Sequence, residues 1–163
     1  MLSNGAPKGF FGERGDGCSS GSGNASAGSG MMLAGQVYDY AEMQRKRPFY
    51  VDVARARKSN VISALLRIPV SPEVAMKFDA HWSALEDDPG TFNILGGNCS
   101  TAASRAFKKA GIISGGIPGL DTPDNLWSQL SKKYGSRAQK YFGYLDFVPT
   151  NAGFKVTMTT KTS

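Results

Sequence analysis

The sequence predicts an α+β domain in which antiparallel sheet packs against about three helices. Strand-like runs fall in the first half of the chain and again near its end. Three helical patterns lie between them, each opened by a recognisable cap signal. The chain has 163 residues and 40% hydrophobic content, enough for one domain with a real core.

Residues 1–35 hold ten of the twenty glycines. The island Gly9-Phe-Phe-Gly12 is their one strongly apolar stretch. The run from Cys18 to Gly30 is almost only Gly, Ser, Ala and Asn, which lose backbone entropy on ordering and bury little. Residues 1–35 are therefore expected to be a flexible N-terminal segment, and 36–163 a single domain. The Gly-rich run is no nucleotide cradle, because no Gly-Lys-Ser/Thr follows it.

Residues 35–40 read as a short strand. Residues 47–53 read as another, with Phe49, Val51 and Val53 on one face. Residues 60–68 fit a buried strand between Asn60 and Pro69, or a short helix. Ser71-Pro72-Glu73 combines an N-cap serine, a first-position proline and a first-turn acid, so a helix is expected to about Asp88. Val74, Phe78, His81, Trp82 and Leu85 form its apolar stripe. A second helix follows Asn98-Cys99, with Ala102, Ala103, Ala106, Phe107 and Ala110 in register and Gly111 closing it. Residues 112–120 are a Gly/Pro-rich loop. Thr122-Pro123-Asp124 opens a third helix carrying Leu126, Trp127 and Leu130. Residues 141–148 and 154–160 read as strands, the last an edge strand.

The net charge is +6, which suits an anionic partner. The basic clusters are Arg45-Lys46-Arg47, then Arg55, Arg57 and Lys58, then Lys132-Lys133. They read mainly as solvated surface, with no aromatic-interleaved nucleic-acid motif. A nucleic-acid role for the Arg45–Lys58 region rests on charge alone, and no specific nucleic acid is expected. There is no apolar run near 18 residues, so no transmembrane segment is expected. Met1-Leu2-Ser3-Asn4-Gly5 opens no signal peptide. The chain is expected to stay in the cytoplasm, to leave by a route that reads no N-terminal signal, or to be part of a longer polypeptide. Two cysteines far apart and one histidine make a zinc site implausible, and no metal or cofactor is expected. A Cys18–Cys99 disulfide is open in an oxidising compartment.

Cys99 sits at a predicted helix N-terminus, where unpaired amides and the helix dipole favour a thiolate. A small buried cysteine packing a strand–helix junction is the competing reading. Cys18, in a Gly-rich run, is poorly placed to hold attack geometry.

The string Phe92-Asn-Ile-Leu-Gly-Gly-Asn-Cys-Ser-Thr101, with Ser-Pro-Glu before it and Thr-Pro-Asp-Asn-Leu-Trp after it, resembles the circularly permuted papain-like hydrolases. These are the NlpC-like and lecithin:retinol-acyltransferase-like group, and several bacterial toxin domains are similar in layout. The likeness covers roughly residues 60–130. It implies a papain-like fold, Cys99 as nucleophile, and Asn98 and Ser100 in oxyanion or positioning roles beside the Cys99 amide. The chemistry implied is acyl transfer. The sequence departs from the family at the general base: the family's histidine lies on an upstream strand, and no histidine precedes position 81 here. His81 is the one imidazole able to serve, with a structural core histidine as the alternative. Its orienting partner stays open among Asp79, Asp146 and Asn125.

The resemblance implies a cysteine-dependent amidase or endopeptidase acting on peptidoglycan peptides. An ester or thioester of a lipid is the alternative substrate. The toxin likeness implies a bacterial effector, a cognate immunity protein and contact-dependent export to a target periplasm. A catalytically incomplete binding module of the same fold is the reading from another class.

Overall fold

The computed structural model describes residues 1–13, 33–93, 97–114 and 122–160. Its strands are β1 (Gly9–Glu13), β2 (Leu33–Tyr38), β3 (Ser63–Arg67), β4 (Thr91–Phe92), β5 (Gln139–Thr150) and β6 (Gly153–Thr159). Its helices are α1 (Tyr40–Lys46), α2 (Val53–Lys58), α3 (Pro72–Asp87), α4 (Cys99–Lys109) and α5 (Pro123–Tyr134). The class is α+β, as expected. Two small antiparallel sheets replace a single one: β1-β2-β4 and β3-β5-β6.

The long helices follow their caps. Ser71 accepts from the Val74 amide and Thr122 from the Asn125 amide, with proline in the first turn of both. α4 ends where Gly111 takes a φ of +73°, a conformation costly for any residue with a Cβ. β5 pairs with β3 through its first half and with β6 through its second.

Three expectations change. Residues 9–13 are a strand rather than part of a flexible segment. β1 pairs along its whole length with β2, from Gly9↔Tyr38 to Glu13↔Ala34. Phe10 is 3% exposed, so an island of two aromatics suffices to hold this strand in the core. The Cys18–Gly30 run lies outside the described residues. The strand expected over 47–53 is a 3-10 turn at Pro48–Tyr50 leading into α2. Asp52 caps that helix by accepting from the Ala54 and Arg55 amides, so the local side-chain bond outweighs the alternating pattern. Finally, α1 and α2 raise the helix count to five among the described residues. Asp39 caps α1 by accepting from the Glu42 amide.

Two cores result. One gathers Phe10 and Val37 from the first sheet, Phe78 and Trp82 from α3, Ala102, Ala106 and Ala110 from α4, and Leu126 and Leu130 from α5. The other joins Tyr38, Met43, Val51 and Phe147. Among the described residues no helix is long and apolar enough to cross a membrane.

If β1 is integral to the larger core, Phe10→Ala lowers the free energy of unfolding by about 3 kcal/mol. Urea titration checks this. An unchanged midpoint would mean that the segment is an appendage.

Candidate functional site

Cys99 is the first residue of α4 and an exposed free thiol. Three neighbours hold that helix end in place. β4 pairs with β2, Leu33 opposite Phe92 and Ala34 opposite Thr91, and so ties the incoming chain to the first sheet. Asn93 and Gly97 then close on each other through two backbone hydrogen bonds of 3.1 and 3.3 Å. A Cβ at Gly97 would lie 2.9 Å from the Thr91 carbonyl oxygen and 2.9 Å from Asn93 Nδ2. This crowding accounts for a glycine just before the Asn-Cys pair.

Asn98 is extended at φ −100° and ψ 178°. Its Oδ1 accepts from the Thr101 amide at 3.0 Å and from the Thr101 hydroxyl at 3.3 Å. Asn98 is thus the N-cap of α4. The amides of Cys99 and Ser100, in the first turn, have no intrahelical acceptor. The side chains of this turn divide between water and core. Cys99 is exposed, whereas Ser100 is 6% exposed. The Ser100 side chain belongs to the interior, so its contribution to an oxyanion site would come from its amide.

His81 lies on α3, half-buried, and its Nε2 has no hydrogen-bond partner among the described residues. Burial, then Lys109, then Arg105 push its pKa below the ordinary 6.5. Those two cations stand six and ten residues after Cys99 along α4, about 9 and 15 Å from it in helical rise. The imidazole therefore senses the later half of α4, and no hydrogen bond joins it to the Cys99 sulfur among the described residues.

The three orienting candidates are occupied elsewhere or stand apart. Asp79 accepts from the Ser3 amide at 3.0 Å and from the Ser3 hydroxyl, which pins the start of the chain onto α3. Asp146 accepts from the Val53 amide at 3.3 Å, beside the second core. Asn125 is exposed in the first turn of α5. Among the described residues none of them bonds to His81.

Among the described residues no three His, Cys, Asp or Glu side chains converge as a metal site. An open depression of about 330 Å³ lies between Ile113, Ser114, Gln129, Lys132 and Lys133, just past the far end of α4 from Cys99. Cys18 falls outside the described residues.

No family model matches the chain, and neither does any curated protein or solved structure.

Two measurements probe this geometry. Asn98→Ala costs about 1 kcal/mol of stability through loss of the cap, while Asn98→Asp retains most of it; urea titration of both checks the assignment. For His81, the unfolded chain binds a proton as pH falls through 6.5 and the folded chain binds it only at lower pH. Stability is therefore full above that value and declines as pH falls through the folded pKa. His81→Gln flattens the dependence between pH 8 and 5 in urea titrations. Parallel curves for the two proteins would assign the slope to other groups.

Proposed function

We propose that this chain is a cysteine-dependent acyl hydrolase with the permuted papain-like fold, acting on the amide bonds of cell-wall peptides. The observation that carries the reading is the exposed thiol of Cys99 on the first turn of α4, beside amides that lack intrahelical acceptors. Such a turn can receive the oxygen of a tetrahedral intermediate. The order of elements around Cys99, a capped helix before it and another after it, agrees with the resemblance.

In the reaction the Cys99 sulfur bonds to the substrate carbonyl carbon and the oxygen takes the charge. The C–N bond then breaks, and the amine leaves with a proton. Water attacks the thioester, releasing the carboxylic acid and restoring the thiol. His81, the one histidine of the chain, is the candidate base. Its Nε2 has no hydrogen-bond partner among the described residues, and catalytic hydrogen bonds can form or tighten on substrate binding. A wall peptide suits the basic chain, and a lipid ester is the other substrate of this chemistry. The toxin likeness adds a cognate immunity protein and export to a target cell.

A binding module is the second reading. It is favoured by the position of His81 beside the later half of α4, with no hydrogen bond to Cys99. It keeps the fold and recognises a wall fragment without cleaving it.

Incubation with peptidoglycan fragments and with acyl esters, read by mass spectrometry, separates the two. The enzyme reading expects cleavage that Cys99→Ala abolishes and His81→Ala slows by about 10²–10⁴-fold. Fragments that bind equally well to wild type and Cys99→Ala, uncleaved by either, would establish the module.

A further inference from the structure

One short segment of this chain is strongly basic. Residues 45–58 hold six of the nineteen Lys and Arg against one Asp, a net +5. The fold brings aromatic rings to the same segment. Phe49 and Tyr50 pack edge to face at 4.6 Å. Tyr50 lies 6.4 Å from Phe11 of β1 with ring planes 29° apart. Phe11 in turn stacks on Tyr38 at 4.6 Å and 28°. The Arg47 guanidinium sits 5.5 Å from the Phe11 ring centre, and Lys46 sits 4.7 Å from that of Tyr38.

Part of this charge has local work. Lys46 pairs with Glu13, and Arg57 lies over the Tyr144 ring. Asp52 spends its carboxylate on the α2 cap. Arg45, Arg47, Arg55 and Lys58 remain exposed and form no ion pair among the described residues. Cations at the ends of α1 and α2 complement the helix dipoles, but that role does not call for an exposed ring among them. Tyr50 is 39% exposed.

We propose that this basic, aromatic surface binds single-stranded nucleic acid without sequence preference. Exposed cations take the phosphates, and the Tyr50 ring offers a stacking face to a base. The composition of the surface points away from a lipid bilayer. Val51 is 1% exposed, and Tyr50 is the one exposed large hydrophobic side chain of the segment. Nothing aliphatic is therefore presented for insertion between acyl chains. A polyanion without bases would use the charge and leave the ring unused. This surface does not depend on the Cys99 reading, so either stands if the other fails.

Fluorescence anisotropy with labelled 20-mers of dT and rU, on the full chain, tests the proposal. Affinity is expected to fall with salt, log Kd rising about 0.7 per phosphate engaged for each unit of log salt. Reversing Arg45, Arg55 and Lys58 to Glu weakens binding at least tenfold, and the same reversal at Lys132, Lys133 and Lys140 much less. Tyr50→Ala weakens binding about tenfold with the salt slope unchanged, the signature of lost stacking. Circular dichroism verifies that each variant is folded, and the salt slope of the wild type needs no variant. The proposal is overturned if Tyr50→Ala binds as wild type, if both charge-reversal triples weaken binding equally, or if polyphosphate of matched charge competes as well as the oligonucleotide. Preferential binding to vesicles of anionic phospholipid would overturn it in favour of a membrane surface.

Discussion

The closely packed face of α4 is the constraint on which the rest of the molecule depends. Ala102, Ala106 and Ala110 turn small side chains to the interior, and Ala106 is fully buried. Small residues let a helix lie close to its neighbours. β1 supplies Phe10 to the space so defined, α3 supplies Phe78 and Trp82, and α5 supplies Leu126 and Leu130. Phe107 reaches over this face to Phe78, with ring centres 5.0 Å apart. With α4 fixed on three sides and its start tied to β4 through the Asn93–Gly97 closure, Cys99 is held at the edge between core and water.

The same helix layer holds polar groups that lack partners. His81 Nε2 and Trp82 Nε1 on α3, Ser104 Oγ on α4 and Ser131 Oγ on α5 are buried without hydrogen bonds among the described residues. An unsatisfied buried group costs roughly 1–3 kcal/mol. These groups lie on α3, α4 and α5, the three helices that contribute to the larger core.

The second core works as a bracket between the two sheets. Tyr38 comes from β2 and Phe147 from β5, with Met43 and Val51 between them. The Phe147 amide donates to the Val51 carbonyl at 3.1 Å. The α1–α2 segment fills the gap between sheets with its inner side and carries exposed cations on its outer side. A basic run confined to the outside of a bracket costs the core nothing. It remains available as an anion-facing surface.

The long helices were legible because their signals are local. Ser71-Pro72, Asn98 and Thr122-Pro123 each satisfy a first-turn amide with their own side chain, and that chemistry needs no distant partner. The place of Cys99 at a helix N-terminus was legible for the same reason. Other features were decided by pairing between distant residues. Gly9–Glu13 becomes a strand only through β2, about two dozen residues away, and through the cavity that Phe10 fills. The 47–53 run alternates like a strand, but Asp52 finds the amides of Ala54 and Arg55 before any ladder forms. The surroundings of His81 follow from the packing of α3 on α4: periodicity puts it on the inward face, and only the packing brings the charges of Lys109 and Arg105 to bear on it. The basic runs of residues 45–58 were visible in the sequence, but their aromatic neighbours were not. Tertiary structure brought Phe11 and Tyr38 beside Arg47 and Tyr50, because ring stacking and sheet pairing act across distances that no local pattern encodes.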